Sequence, residues 1–153
     1  MNPAGDAAGG EFSILSINVS AVKGVPKMPV DRAVLRQGHG IEGDAHAGEW
    51  HRQVSLLADE DIEAMRGRGV ELPNGAFAEN LTTRGIDLAH LAVGALLSVG
   101  PALLEITQIG KECHQACAIR EAVGDCVMPR RGVFARVLTG GEIDRESRCH
   151  HDL

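Results

Sequence analysis

The stretch ECHQACAIREAVGDCVMPR, residues 112–130, gathers Cys113, Cys117 and Cys126 beside His114. Thiols at this density serve one of four ends: metal ligation, a disulfide, core filling, or a nucleophile that carries sulfur. A sulfur carrier needs a thiolate, which forms more readily where a cation or a helix N-terminus lowers the thiol pKa. Lys111, His114 and a short helix predicted from near Gln115 are placed to do this for Cys113. Cys117 lies four residues on, so a helical turn sets it on the same face, as a resolving thiol, a second ligand or a small core residue. Cys126 follows the glycine turn at Gly124. The C-x3-C-x8-C spacing fits neither the paired C-x2-C of zinc ribbons nor the usual ferredoxin runs, so a zinc or iron–sulfur module on Cys113, Cys117 and Cys126 is an alternative expectation.

Other groups are spaced for chemistry. Asp44 and His46 stand two apart in GIEGDAHAG, offering a carboxylate and an imidazole to orient a substrate or move a proton. The competing reading is a turn whose Asp caps backbone N–H groups. His51, just past Trp50, is a weaker candidate of the same kind. Glu79, Asn80, Thr82 and Thr83 form a polar run that, if buried, must be hydrogen-bonded; it either binds a polar ligand or locks a loop. Arg136, and Arg130 with Arg131, are candidates for an oxyanion or phosphate, against the plainer reading of a solvated face. Cys149, His150 and His151 fall in a terminal stretch to which no function is assigned.

The elements that position these groups belong to one domain. A chain of 153 residues buries roughly two thirds of its unfolded surface in a single core. With three Phe, one Trp and no Tyr, that core is aliphatic and base stacking is not expected. The net charge of −6 argues against a nucleic-acid partner, which requires clustered cations for counterion release. No apolar run reaches the ~20 residues of a membrane span, and MNPAGDAAGGE carries no export signal, so no membrane and a cytoplasmic location are expected. In that reducing compartment the cysteines read as thiols, ligands or catalytic groups.

Residues 1–10 are expected to form a flexible tail, 11–145 the domain, and 146–153 a second tail. Alternation predicts strands at FSILSINVSAV, VDRAVLRQ and RQVSLLA, a last strand followed by a glycine turn in GVFARVLTGGEI, and a strand-turn-strand at VGALLSVGPALLEITQI about Gly100 and Pro101. ADEDIEAMRGRG predicts a helix with acids in its first turn, Arg66 and Arg68 in its last, and Gly67 and Gly69 ending it. About seven or eight short strands, one or two short helices and no long crossovers point to a mainly β, antiparallel, barrel-like fold.

Taken in order, GIEGDAHAG at 40–48, FAENLTTRG at 77–85, and LEITQ at 104–108 with Cys113 five residues on, resemble the MOSC domain, the molybdenum cofactor sulfurase C-terminal domain. The resemblance runs from about Phe12 to Ile143 and suggests a small stand-alone member with a β-barrel-like fold. It implies a role in molybdenum cofactor chemistry: binding a molybdopterin-type cofactor, or carrying sulfur as a Cys113 persulfide to a metal centre. By that match Cys113 is the persulfide carrier or molybdenum ligand. Asp44 and His46 join it as catalytic candidates; Glu79, Asn80 and Thr82 shape the pocket, and Lys111 and Arg136 supply positive charge. Pyridoxal phosphate enters only by family association, through a sulfurase domain that is not among these residues. The implied partner is a sulfur donor or a molybdoenzyme, and a homodimer is left open. A further alternative, which some relatives suggest, is reduction of N-hydroxylated compounds with a separate electron donor. Relatives often have Phe-Gly-Glu-Asn where this chain has Phe77-Ala78-Glu79-Asn80, and a Pro-Arg pair where it has Ile109-Gly110. Lys111 is then the candidate for the missing charge, without the arginine fork.

Overall fold

Side chains that face opposite ways along β5, Val54–Ala58, show how the core is built. Val54, Leu56 and Ala58 point into one apolar cluster and Leu57 into another on the opposite face, so this strand is buried on both sides. The computed structural model describes residues 9–66, 71–110 and 131–152.

Before β5 come β1 (Gly9–Val19), β2 (Met28–Val30), β3 (Arg32–Arg36) and β4 (Gly40–Ile41). After it come α1 (Asp59–Glu63), β6 (Leu81–Arg84), a 3-10 turn at Leu88–His90, β7 (Leu96–Val99) and β8 (Ala102–Ile109). The chain ends with β9 (Val133–Thr139), β10 (Gly141–Asp144) and β11 (Cys149–Asp152). The large sheet runs β11-β7-β8-β9-β5-β6-β1-β2, and β11 also pairs with β1, which closes seven strands into a barrel with β2 appended. Closure leaves those seven strands without a free edge. A small sheet, β10-β3-β4, stands apart.

The expected mainly β, barrel-like fold is therefore the fold found. The pairings are antiparallel except β5 with β6, where Leu56 faces Leu81 and Leu57 faces Thr82 in parallel. That crossover carries α1, which supplies Ile62 to the outer cluster of Leu57, Met65, Leu72, Phe77 and Phe134. Inside the barrel Ile17, Leu56, Leu81, Leu97, Leu104, Ile106 and Val133 are fully buried; each such side chain contributes about 1.5–3 kcal/mol.

Four expectations change. The helix stops at Glu63 with Ala64 as its C-cap, so no arginine sits in its last turn; Arg66 instead reaches back to Asp59 and Glu63 at 3.1 and 3.0 Å. The strand expected before the glycine turn is Val133–Thr139, but it is not the last: Gly141–Asp144 follows as a further strand past Gly140, where a Cβ would lie 2.5 Å from the Leu35 carbonyl. Residues 149–152, taken as part of a flexible tail, form β11 between β1 and β7, with Cys149 in the barrel core. Four residues reading CHHD carry too little apolar pattern to announce a strand; their backbone is recruited because two edges would otherwise go unpaired. Likewise β1 begins at Gly9, within the expected N-terminal tail.

Candidate functional site: the Asp44 loop and the end of β8

The loop from Gly38 to Gln53 is tied down by its glycines and by Asp44. Gly40 must lack a side chain, since a Cβ would lie 2.7 Å from the Gln53 carbonyl oxygen, and its φ is +125°. Gln53 is buried and accepts from the Val137 amide at 2.9 Å, which fastens the loop to β9. Asp44 has no exposed side-chain surface and accepts three hydrogen bonds: from Lys27 Nζ at 2.8 Å, Ser20 N at 3.1 Å and His46 N at 3.0 Å. Burial pushes the Asp44 carboxyl up, but the Lys27 bond, the His46 and Ser20 amides and the Lys27 charge outweigh it and leave the pKa lowered. Asp44 is thus held as a carboxylate that orders two loops.

His46 places its ring Nδ1 3.8 Å from Asp44 Oδ2 and stacks at 6.5 Å on Trp50, whose indole N–H donates to the His46 carbonyl at 2.7 Å. Trp50 meets His51 edge-on at 6.0 Å, and His51 Nε2 lies 2.8 Å from Gln108 Oε1. Arg52 Nε donates to the same oxygen at 3.1 Å, while Gln108 Nε2 donates to the Gly110 carbonyl at 2.7 Å. Thr107 Oγ1, whose one proton is shared between the His51 and Phe134 carbonyls, pins the loop to β8 and β9. The Gly110 amide donates to the Gly132 carbonyl at 2.6 Å, so the chain leaves and re-enters the barrel at one point. A continuous line of contacts therefore leads from Asp44 to Gly110, three residues before Cys113.

Glu79, Asn80 and Thr82 are brought together, but with the protein as their partner. Glu79 is fully buried; Oε2 accepts from Gly75 N at 2.9 Å and Thr82 Oγ1 at 2.7 Å, and Oε1 from Phe77 N at 3.1 Å. Desolvation dominates those bonds and raises the Glu79 pKa. Asn80 Oδ1 accepts from Ser55 N at 2.9 Å and its Nδ2 donates to the Asn18 carbonyl at 3.1 Å, while Asn18 Nδ2 donates to Thr82 Oγ1 at 3.1 Å. Of the two readings left open by the sequence, loop locking has this geometry. The network touches the Asp44 site through Lys27, whose amide donates to the Gly75 carbonyl at 2.8 Å.

Arg136 lies on the outer barrel face, exposed, with its guanidinium 2.6 Å from Glu105 on the neighbouring strand. Arg131 joins Asp61 at 3.1 Å and Asp87 at 2.5 Å. Cys113, Lys111, His114, Cys117, Cys126 and Arg130 lie outside the described residues, and with them the metal set proposed on Cys113, Cys117 and Cys126. Among the described residues no group of three or more His, Cys, Asp or Glu is placed to hold a metal ion, and no helix is long and apolar enough to cross a membrane. Cys149 is buried, and desolvation raises its thiol pKa to about 11.

Sequence reasoning missed Lys27, Arg52, Asn18 and Gln108. Lys27 sits in a Gly- and Pro-broken stretch and its burial has no signal in residue type, since lysine is rarely buried unless paired. Gln108 was legible as part of LEITQ, though not as the tether it is.

A closed seven-stranded barrel with a glycine-spaced Asp-His loop fastened beside the end of one long strand defines a MOSC-type β-barrel domain. The MOSC domain model matches residues 43–148, and the chain belongs to that family, which is associated with the molybdenum cofactor. The fold is similar to that of YuaD protein from Bacillus subtilis, with TM-score 0.79 and 18% identity over 95% of this chain and 98% of that one. It is also similar to YiiM from Escherichia coli (TM-score 0.68, 18% identity, 94% and 70% of the two chains). YiiM from Geobacillus stearothermophilus aligns with TM-score 0.68 and 21% identity over 93% and 75% of the two chains. Comparison with curated protein sequences finds no match.

Proposed function

We propose that this MOSC protein works in molybdenum cofactor metabolism, with Cys113 carrying a sulfane sulfur or ligating the metal of a molybdopterin-type cofactor. One observation carries the reading: the Asp44–His46 loop is wired through Trp50, His51 and Gln108 to Gly110. Three residues of chain span at most about 11 Å, so the family's cysteine position is tethered to this loop by covalent geometry.

As a sulfur carrier, the Cys113 thiolate would attack the outer sulfur of a donor persulfide. A new S–S bond forms on Cys113, the donor's S–S bond breaks, and the donor departs as a thiolate; delivery to an acceptor reverses the exchange, with no net oxidation. The Asp44 carboxylate holds the His46 amide and keeps the loop in place, while His46 and His51 present imidazoles for proton movement.

The residues present fit the anionic end of a molybdopterin-type cofactor: Arg52 and Lys23 form no ion pair with a carboxylate among the described residues. When bound, that group supplies a redox-active metal centre. Pyridoxal phosphate needs a lysine amine free to form a Schiff base; of the two described lysines, Lys27 is buried against Asp44 and Lys23, over Trp50, is exposed.

The test is intact mass and persulfide labelling of the purified protein. Cys113→Ser is expected to abolish the added sulfur or the retained cofactor while Cys117→Ser keeps it. Equal loss in both variants would sink the single-carrier reading and favour a dithiol or metal site.

A further inference from the structure

We propose that the loop joining β1 to β2, with Trp50 beside it, is the face on which a second copy of this chain docks about a two-fold axis. Among the described residues six large apolar side chains are exposed, and four of them belong to this face: Val22, Val25, Met28 and Trp50, at 61%, 42%, 68% and 39% exposure. Lys23 joins the loop to the tryptophan, its Nζ lying 5.5 Å from the centre of the Trp50 ring. Apolar side chains scattered singly over a surface mean little, whereas a group of them marks a contact, and Met and Trp are types that contacts favour.

The loop is built to be presented rather than to move. Its base is clamped at both ends: Ser20 N and Lys27 Nζ both donate to the buried Asp44 Oδ1, at 3.1 and 2.8 Å. The Ala45 amide donates to the Ser20 carbonyl at 2.7 Å, and the Lys27 amide to the Gly75 carbonyl at 2.8 Å. Between the clamps residues 21–26 are all exposed, and a Cβ added at Gly24 would meet nothing within 4 Å. An apolar tip on a fixed base loses little freedom on association. Next to it β2 is the free edge of the large sheet, but Pro26 and Pro29 carry no N–H there. The face therefore takes side chains and does not extend the sheet.

Charge decides the occupant. From Phe12 to Val30 the chain has two lysines and no acid. Lys27 is buried against Asp44, and Lys23 is exposed without a carboxylate partner among the described residues. Glu49, the neighbour of Trp50, is exposed and likewise forms no ion pair among them. One unpaired cation and one unpaired anion beside an apolar group make the face self-complementary: a two-fold axis sets Lys23 of each copy against Glu49 of the other, around Trp50 and the valines. A nucleic acid or an anionic lipid surface would match only the lysine, in a chain of net charge −6. Trp50 stacks on His46 and meets His51, so the contact adjoins the Asp44 loop of both copies. The inference is independent of what Cys113 carries.

Sedimentation equilibrium of the full chain over a range of protein concentrations reads the association. The wild type should form a reversible dimer. Lys23→Glu and Glu49→Lys should each raise its Kd by about ten-fold or more, since a two-fold axis makes every reversal act twice. An equimolar mixture of the two variants should regain the dimer, because the reversed charges then face their opposites across the axis; a damaged fold is not rescued this way. Val22→Ser combined with Val25→Ser should also weaken the dimer. Arg148→Glu, an equal reversal beside Glu11 at the opposite end of β1, should associate like the wild type. A wild type still monomeric at about 1 mM, single reversals without effect, a mixture no better than either variant alone, or an equal loss in Arg148→Glu would overturn the proposal. So would a monomer that binds phosphatidylglycerol vesicles through this loop, which would make the face a lipid surface.

Discussion

Replacing Asp44 with asparagine should cost more stability than replacing Lys27 with methionine, although the two side chains form one ion pair. Both are buried, with 0% and 1% of the side chain exposed. Lys27 Nζ has Asp44 as its partner, whereas Asp44 also accepts the Ser20 and His46 amides. Asp44→Asn leaves a buried ammonium without its counter-charge and turns an NH2 toward an amide N–H. The cost of breaking a buried pair this way is about 3–5 kcal/mol. Lys27→Met keeps most of the stem's volume and leaves a carboxylate that two backbone donors still satisfy, at about 1–3 kcal/mol. A domain of this size is stable by about 5–15 kcal/mol, so the first change threatens folding and the second does not. Urea unfolding followed by Trp50 fluorescence measures both, and the double variant gives the coupling. Because the Asp44 pKa is lowered on folding, its contribution is present above the unfolded value near ~4 and is lost as pH falls through the folded one. An Asp44→Asn variant within about 1 kcal/mol of wild type, or a costlier Lys27→Met, would refute the reasoning.

Glu79 should show the opposite pH sign. Its folded pKa is raised, so its contribution is fully present below the unfolded value near ~4.3 and declines as pH rises through the folded one; that decline should vanish from the stability profile of Glu79→Gln. Ala78 has φ +63°, a left-handed conformation that costs about 1–2 kcal/mol for a residue with a Cβ. After the added unfolded-state entropy of glycine, Ala78→Gly should gain about 0.5–1 kcal/mol, raising Tm by about 2–4 °C at the upper end, and an unchanged or lower Tm would count against the strain. Cys149, with its thiol pKa raised to about 11, should resist alkylation in the folded protein at neutral pH and react once the protein is unfolded in urea. Equal rates in the two states would show that it is not buried.

That Val54, Leu56 and Ala58 face one cluster and Leu57 another, or that Ala102, Leu104 and Ile106 are buried between half-buried neighbours, only the fold decided; the sequence by itself pointed to the fold class, through short apolar runs punctuated by glycine and proline with no long crossovers between them. It also marked the Asp44 loop and the Glu79–Asn80–Thr82 run, since charged residues between glycines and a carboxylate beside an amide are legible as types. Tertiary structure alone decided what those groups face. Lys27 reaches Asp44 across seventeen residues and Arg52 reaches Gln108 across fifty-six, and no local propensity encodes such separations. The same holds for β11, whose four residues become a strand because the closing barrel offers them two open edges. Burial converts a polar letter in the sequence into a committed partner, and burial is a property of the whole fold.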